Sequence, residues 1–279
     1  MNLNKAQIAA VAAARAAGTI LRKNLRAKKK ANEITSHDIK LELDVRCQKL
    51  IERRLHAAFP EISFLGEEGD SGAPDSEYRW VVDPIDGTVN FAYGIPHACV
   101  SIALQAKRDE CRVSSVECST GRRARLSDAT CHLPHVTLLG VVYDPFQDEL
   151  WTAIRGRSAR LNGKVIHVSR RSKLSECMIS IGFAKSRGSL ELALPYFVWL
   201  ARRVRKIRML GSAALGLTYV ATGRLDAYIE RGINLWDIAA GGLIIECAGG
   251  KFWREPAEKG KFRMIASNGL LHGKLPIPK

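Results

Sequence analysis

The 279-residue sequence predicts a layered protein in which α-helices pack on β-sheets. Near the N-terminus, apolar residues recur every three to four positions, which is the spacing of one helix face. Short apolar runs bounded by glycine, proline and aspartate follow, and such runs are typical of strands. In the second half, helix-like and strand-like segments alternate, as they do in layered α/β proteins.

The predicted N-terminal helix has an apolar stripe that consists of Ile8, Val11, Ala12, Ala16, Ile20 and Leu21. The basic residues 22–30 that follow are interpreted as a solvated helix end, with an anion-binding patch as the alternative. A second helix is predicted over 43–55, where apolar residues recur with helical spacing, and Pro60 ends the pattern. The N-terminus lacks the continuous apolar core of a secretory signal. Its lack of acidic residues before Glu33 resembles a transit peptide, but the stripe favours a structural helix.

Strands are predicted at 62–65, 80–82, 99–104, 137–142 and 149–154, then at 227–230, 250–253 and 264–266. Further helices are predicted at 190–203, 212–222 and 235–247. Without a repeat or a linker, the chain is predicted to be one domain over 1–279, with an N-terminal half 1–180 and a C-terminal α/β half 181–279. Residues 107–134 are polar and arginine-rich between two strands, so we predict an inserted loop there.

Composition restricts the class of protein. Apolar residues at 46% with 25% charged residues exclude a disordered chain, and no run reaches the roughly 18 apolar residues that a membrane span needs. A net charge of +15 predicts attraction to anions such as phosphorylated metabolites, nucleic acid or acidic lipid. Seven cysteines, an odd number without CxxC spacing, indicate a reducing, intracellular setting.

Carboxylates stand beside glycines or at strand ends in three segments: Gly66-Glu67-Glu68-Gly69, Asp83-Pro84-Ile85-Asp86-Gly87-Thr88 and Trp236-Asp237. Hard divalent cations prefer such oxygen ligands, and the rigid turn at Pro84 lets two carboxylates face one ion. Gly87 and Thr88 add backbone N–H groups that form an anion site where a helix begins. The pattern predicts a magnesium site; each segment alone is also typical of a solvated surface turn.

The segments 66–68, 80–91 and 235–241 resemble, in this order, the signature segments of the inositol monophosphatase family of magnesium-dependent, lithium-sensitive sugar and inositol phosphatases. Further matches are Asp38 with Asp44, Tyr93-Gly94-Ile95-Pro96, Gly211-Ser212-Ala213-Ala214 and Glu230. The resemblance spans residues 4–270. It implies an α+β fold, an αβαβα sandwich with mixed sheets between helix layers, and a homodimer.

The resemblance also implies the site. Magnesium would be bound by Glu67, Asp83, the Ile85 carbonyl, Asp86 and Asp237, with more than one ion expected. Glu67 and Thr88 would orient the attacking water, with Asp38 supporting Thr88. Phosphate oxygens would meet the N–H groups of Gly87 and Thr88, and the substrate hydroxyls would meet Asp86, Ser212, Ala213, Glu230 and Asp237.

Two departures from the family pattern stand out. In the family, an apolar residue and a threonine that makes a hydrogen bond often follow the aspartate at position 38. Here Ile39-Lys40-Leu41 follow Asp38, so that hydrogen-bonding role is unfilled. The family has a short hairpin where this chain has 107–134. A zinc site is one interpretation of the residues Cys111, Cys118, Cys131, His132 and His135, but their spacing matches no common zinc pattern, so a disordered loop is favoured.

The predicted function is magnesium-dependent hydrolysis of inositol monophosphate, or of a related small polyol or sugar phosphate, in the cytoplasm. Alternative substrates in the superfamily are fructose 1,6-bisphosphate, histidinol phosphate and 3′-phosphoadenosine 5′-phosphate. A non-catalytic role on nucleic acid or in transcription is the alternative from another class, suggested by the basic clusters 22–30 and 202–208. Val204 and Ile207 predict instead that the second cluster is one face of a packed segment, and His97 is interpreted as a packing residue.

Overall fold

Helices and sheets alternate in five layers in the computed structural model, which describes residues 1–34, 39–73, 76–108, 134–183 and 187–276. The helices are α1 (Leu3–Asn24), α2 (Glu42–Ala58), α3 (Thr88–Ala92), α4 (Arg187–Ala201), α5 (Ala213–Ala221) and α6 (Leu235–Cys247). The strands are β1 (Ala31–Ile34), β2 (Ile39–Leu41), β3 (Ser63–Gly66), β4 (Gly69–Ser71), β5 (Tyr78–Asp86), β6 (Cys99–Lys107), β7 (His135–Asp144), β8 (Glu149–Ile154), β9 (Arg160–Leu161), β10 (Lys164–Val165), β11 (Met178–Phe183), β12 (Lys206–Arg208), β13 (Ala227–Ile233), β14 (Lys251–Pro256) and β15 (Phe262–Ser267).

Both larger sheets mix parallel and antiparallel pairs. The eight-stranded sheet has the order β10-β9-β8-β7-β6-β5-β3-β4, with β3 parallel to β5 and antiparallel pairs elsewhere. The five-stranded sheet has the order β12-β11-β13-β15-β14, with β12, β11 and β13 parallel to one another. A separate hairpin joins β1 to β2.

In the described part of the chain, three apolar cores hold the layers together. One lies between the helices α1 and α2 and the outer face of the eight-stranded sheet. The second surrounds α5 and α6, which lie between the two sheets. The third lies under α4, on the outer face of the five-stranded sheet. This is the expected αβαβα sandwich with mixed sheets.

The first helix is present as predicted, and its predicted apolar stripe is confirmed in part: Leu21 is buried, and Val11 and Ile20 pack at the edge of the core. Small residues form most of the core-facing side, including Ala6, Ala10 and Ala17, whereas Ile8 is 71% exposed. The reason is close packing on β7: a Cβ atom at Gly18 would lie 2.6 Å from the ring of Tyr143. A helix that lies this close to a sheet buries small side chains where it contacts the sheet.

The other predicted helices and strands are confirmed within a few residues of their ends, and α6 matches its predicted bounds. The sequence patterns missed the short strands β1, β2, β4, β9, β10, β11 and β12, whereas α3 begins at Thr88, where a helix start is expected. Val204 and Ile207 pack at the edge of the third core, which confirms the packed segment predicted around β12.

Most of the predicted insertion, residues 109–133, lies outside the described residues. Its described ends meet where the Arg108 N–H donates to the Pro134 carbonyl at 2.9 Å, next to the pairing of β6 with β7. In the described part of the chain, each helix is too short or too polar to cross a bilayer.

We expect Gly140→Ala to destabilise the protein, because a Cβ atom there would lie 2.7 Å from the backbone oxygen of Ala240 in α6. Overpacking of a rigid core costs about 1–3 kcal/mol. Thermal unfolding would measure the loss, with Gly273→Ala as the matched control, since no atom lies within 4 Å of a Cβ atom there. Equal midpoints for the two variants would contradict this account of the helix–sheet contact.

Candidate active site

Three carboxylates meet where β5 ends and α6 begins. Asp83 and Asp86 lie in the last four residues of β5, and Asp237 lies in the first turn of α6. One oxygen from each of these three side chains lies within 4.8 Å of the others. The pairing of β5 with β6 shifts register between Asp83 and Asp86. Pro84, which has no N–H group to donate, lies in this irregular stretch, and such a bulge re-aims side chains.

Glu67 joins this group from the neighbouring strand. It follows β3, and its N–H donates to the Val82 carbonyl of β5 at 3.2 Å. Its carboxyl group shares a hydrogen bond with Asp83, which also shares one with Asp237. The preceding turn rests on Gln48 of α2, whose Oε1 accepts from the Glu68 N–H at 2.9 Å. We refer to Glu67, Asp83, Asp86 and Asp237 as the carboxylate cluster.

The cluster retains protons when no cation is bound. Burial is the largest cause, and it raises the pKa of Glu67 to about 8 and the pKa of Asp237 to about 8; neighbouring carboxylates raise both further. The pKa of Asp83 lies well above its ordinary value, again through burial first and the negative charge of Glu67 second. Buried oxygen ligands that repel one another fit a hard divalent cation, which would neutralise them.

Asp86 is held by the first turn of α5. Its Oδ2 accepts from the Ser212 hydroxyl at 2.5 Å and from the Ala214 N–H at 2.7 Å, and its Oδ1 accepts from the Ala213 N–H at 3.1 Å. These donors oppose the effect of burial on the pKa of Asp86, which is still raised. Ser212 and Ala213, which the resemblance places against substrate hydroxyls, therefore contact a carboxylate of the cluster in this structure.

Thr88 lies at the start of α3 beside the cluster. Its Oγ1 lies 2.8 Å from the Ile85 carbonyl and 3.4 Å from Asp44 Oδ1, so it can donate its single proton to either. The other oxygen of Asp44 accepts from the Leu41 N–H at 2.6 Å, in the first turn of α2. Asp38, the predicted support of Thr88, lies outside the described residues.

Asp44 is the site residue that sequence reasoning missed. The resemblance includes Asp44 as a match without assigning it a role. Its position three residues after Leu41, the residue that precedes α2, is a signal for an aspartate that caps a helix, and that geometry orients the side chain. Its contact with Thr88 joins residues 44 positions apart, which local patterns do not predict.

Gly87 forms the bend between β5 and α3. Its φ of 93° is a left-handed conformation that side chains disfavour, and a Cβ atom would lie 2.9 Å from the His97 carbonyl. The His97 ring packs edge-on against Tyr219 at 5.9 Å between centroids, which is the packing role expected for it.

Glu230 reaches the cluster from β13 of the other sheet. It accepts a hydrogen bond from the Tyr228 hydroxyl and contributes to the raised pKa of Asp237. A Cβ atom at Gly182 of β11 would collide with the Glu230 carboxylate, so glycine is needed beside it. The structure thus brings together the predicted residues Glu67, Asp83, Ile85, Asp86, Gly87, Thr88, Ser212, Ala213, Glu230 and Asp237.

Comparison with known proteins places the chain in a family. A sequence profile described as the inositol monophosphatase family matches residues 2–126 and 133–274. Inositol monophosphatase from Mesembryanthemum crystallinum is 34% identical over 273 residues, which cover 94% of this chain and 91% of that protein. Nus factor SuhB from Xylella fastidiosa is 37% identical over 243 residues, covering 86% and 78%.

Solved structures agree with the sequence comparison. The structure of inositol monophosphatase from Anabaena superposes with a TM-score of 0.77 at 32% identity, and the match covers 99% of this chain and 95% of that chain. The profile match leaves out only 127–132 between its ends, inside the predicted insertion. The chain therefore belongs to the inositol monophosphatase family.

Proposed function

We propose that this phosphatase of the inositol monophosphatase superfamily hydrolyses inositol monophosphate, or a related small polyol or sugar phosphate, with magnesium. The observation that carries the proposal is the carboxylate cluster beside Thr88, because it combines the ligands of a hard cation with a positioned hydroxyl group. Relatives at about 35% identity over most of the chain are named inositol monophosphatases, which supports the substrate class.

The residues that would hold the metal are Glu67, Asp83, the Ile85 carbonyl, Asp86 and Asp237. All of their ligand atoms are oxygens, which is the donor set of magnesium rather than of zinc or copper. A bound divalent cation supplies positive charge that acidifies water and stabilises the oxygen that leaves phosphorus.

The protein's own groups position the nucleophile and handle its proton. Glu67 and Thr88 would orient the attacking water, and Glu67, ionised as a ligand of the cation, would accept a hydrogen bond from that water. Asp44 is the described carboxylate that contacts Thr88, so we assign to Asp44 the support of Thr88 that the resemblance gives to Asp38. A threonine held in this way keeps its lone pairs directed at one place.

The substrate would lie between the two sheets. The N–H groups of Gly87 and Thr88, in the first turn of α3, have no acceptor within that helix and would receive phosphate oxygens. Glu230 would accept a hydrogen bond from a substrate hydroxyl, and Asp86, Ser212, Ala213 and Asp237 would lie against the substrate hydroxyls as well. The net charge of +15 attracts a phosphorylated substrate at long range.

We also propose a homodimer in the cytoplasm. Light scattering at micromolar concentration would report twice the 30.8 kDa mass of one chain. A monomeric mass across the concentration range would contradict the proposed homodimer. The proposed phosphatase mechanism would be unaffected by that result.

A role in transcription is the second candidate, because one relative at 37% identity is named a Nus factor. Val204 and Ile207 pack inwards, so Arg202, Arg203, Arg205 and Lys206 remain on the exposed side near β12. Binding to RNA that persists at moderate salt would support this candidate. Loss of RNA binding at low added salt would indicate nonspecific electrostatic attraction.

The first prediction concerns the metal ligands. Asp83→Asn should lower kcat/KM by more than about 100-fold, since even changes behind the direct ligands cost about 10–100-fold. Phosphate release would be measured from inositol 1-phosphate, fructose 1,6-bisphosphate, histidinol phosphate and 3′-phosphoadenosine 5′-phosphate, with and without magnesium. Asp148→Asn, at an exposed aspartate, is the control. Activity without magnesium, or an active Asp83→Asn variant, would refute the metal site; preference for another substrate would change only the substrate.

The second prediction separates Asp44 from Asp38. Asp44→Asn should lower kcat by about 10–100-fold with little change in KM, because Thr88 loses its charged partner but substrate contacts remain. Asp38→Asn should retain most of the activity. Thermal unfolding would check that both variants are folded. A larger loss in Asp38→Asn than in Asp44→Asn would return the supporting role to Asp38.

The third prediction concerns pH. Glu67 and Asp237 have folded-state pKa values of about 8, above the ordinary values near 4, so the folded protein binds more protons than the unfolded chain between these limits. The metal-free protein should therefore lose stability as pH rises from about 4 to 8. Unfolding midpoints at pH 5.5 and 8 would test this. Magnesium should restore stability at pH 8 in the wild type and much less in Asp83→Asn; a metal-free protein more stable at pH 8 than at 5.5 would contradict the prediction.

A further inference from the structure

A second group of charged side chains lines a small cavity between the sheets, and its charge is opposite to that of the carboxylate cluster. The cavity has a volume of about 30 Å³ and lies where β7, β8, α6 and β14 meet. Its polar lining consists of Arg108, His135, Thr137, Arg155, Glu246 and Arg254. None of these residues belongs to the candidate active site.

Arg254 is the central residue of this cavity. It is 7% exposed, and its Nε has no hydrogen-bond partner among the described residues. Its guanidinium group lies over the Phe262 ring at 5.3 Å, and burial lowers its pKa to about 10. A guanidinium group remains charged at neutral pH even so, and a buried N–H group without an acceptor is costly.

His135 supplies a second buried polar atom. Its Nδ1 has no hydrogen-bond partner in the part of the chain that the structure describes. Burial, followed by the charges of Arg79, Lys107 and Arg254, lowers the pKa of His135 to about 4. The imidazole is therefore neutral at pH 7 and able to donate one hydrogen bond. The same positive surroundings disfavour a cation such as zinc at His135.

The acidic side chain of the lining is paired with Arg155 and also acts on Arg254. Glu246 Oε2 accepts from Arg155 Nη2 at 2.9 Å, and Arg155 Nε donates to the Thr137 carbonyl at 2.7 Å. The negative charge of Glu246 favours the charged form of Arg254, whereas the charges of Arg79 and Arg155 oppose it. Among the described residues that line the cavity, three arginines accompany one carboxylate.

We propose that this cavity binds a small oxyanion of the phosphate class, with Arg254 and His135 as its principal donors. A tetrahedral oxyanion offers acceptors in several directions, and the guanidinium group binds such oxygens in a charge-assisted manner. The space is larger than the roughly 10–15 Å³ that one water molecule needs on the same measure, so it admits more than a single water. The site does not depend on the proposed phosphatase mechanism.

Titration calorimetry with inorganic phosphate tests the proposal on the full chain, after removal of magnesium and at constant ionic strength in sodium chloride. Phosphate is also a product of the proposed reaction, so Asp83→Asn is included to disable the carboxylate cluster. We expect one phosphate ion per chain in the wild type and in Asp83→Asn. Arg254→Met should weaken binding by about tenfold or more, which corresponds to the loss of a charge-assisted hydrogen bond.

Arg205→Met is the matched control, because it removes the same charge at an exposed position and should leave affinity unchanged. Three results would overturn the proposal: no phosphate binding in the wild type, full binding in Arg254→Met, or loss of binding in Asp83→Asn alone. Unfolding midpoints would show that each variant is folded. Should Arg254→Met fail to fold, His135→Leu replaces it with the same expectation.

Discussion

The repulsion among four clustered carboxylates, two buried and two half-buried, is the interaction on which the rest of this structure depends. Glu67 and Asp237 each share a hydrogen bond with Asp83, and one oxygen of Asp86 lies within 4.8 Å of Asp83 and Asp237. In the absence of a cation such a group holds protons, and the raised pKa values of Glu67 and Asp237 show the cost of ionising it. The fold must therefore supply positive electrostatic potential around the carboxylate cluster. A bound cation would supply the remaining positive charge.

Helix starts provide that potential. Asp237 lies in the first turn of α6, Asp86 accepts from N–H groups in the first turn of α5, and Asp44 caps the first turn of α2. The N-terminal end of a helix carries partial positive charge, so three helices direct favourable potential at one region. The layered architecture makes this possible, because α5 and α6 lie between the sheets while α2 approaches from the outer side of β5.

The sequence predicted the structure best where functional residues are close together along the chain. The segment 80–88 contains a buried strand, two carboxylates and a helix start, and α6 matches its predicted bounds because its apolar pattern is unbroken. The sequence predicted least where tertiary packing determines which residues are buried and which distant residues are in contact. The buried face of α1 follows from the close approach of Gly18 to Tyr143, and the partnership of Asp44 with Thr88 follows from the way α2 crosses β5. Neither contact leaves a local signature, and short strands such as β12 are too brief for a periodic pattern.

The helix α6 sets the relation between the carboxylate cluster and the arginine-lined cavity. Asp237 lies in its first turn, and residues that line the cavity extend from Ala239 to Glu246, which lies about 14 Å of helix rise from Asp237. The face of α6 that meets α5 is closely packed, since a Cβ atom at Gly241 would lie 2.6 Å from Leu217. Because a close-packed helix has little freedom to shift, both ends belong to one rigid element. Binding at the cavity would therefore reach the carboxylate cluster mainly through the electrostatic field, and the two sites can be titrated as separate sites of opposite charge.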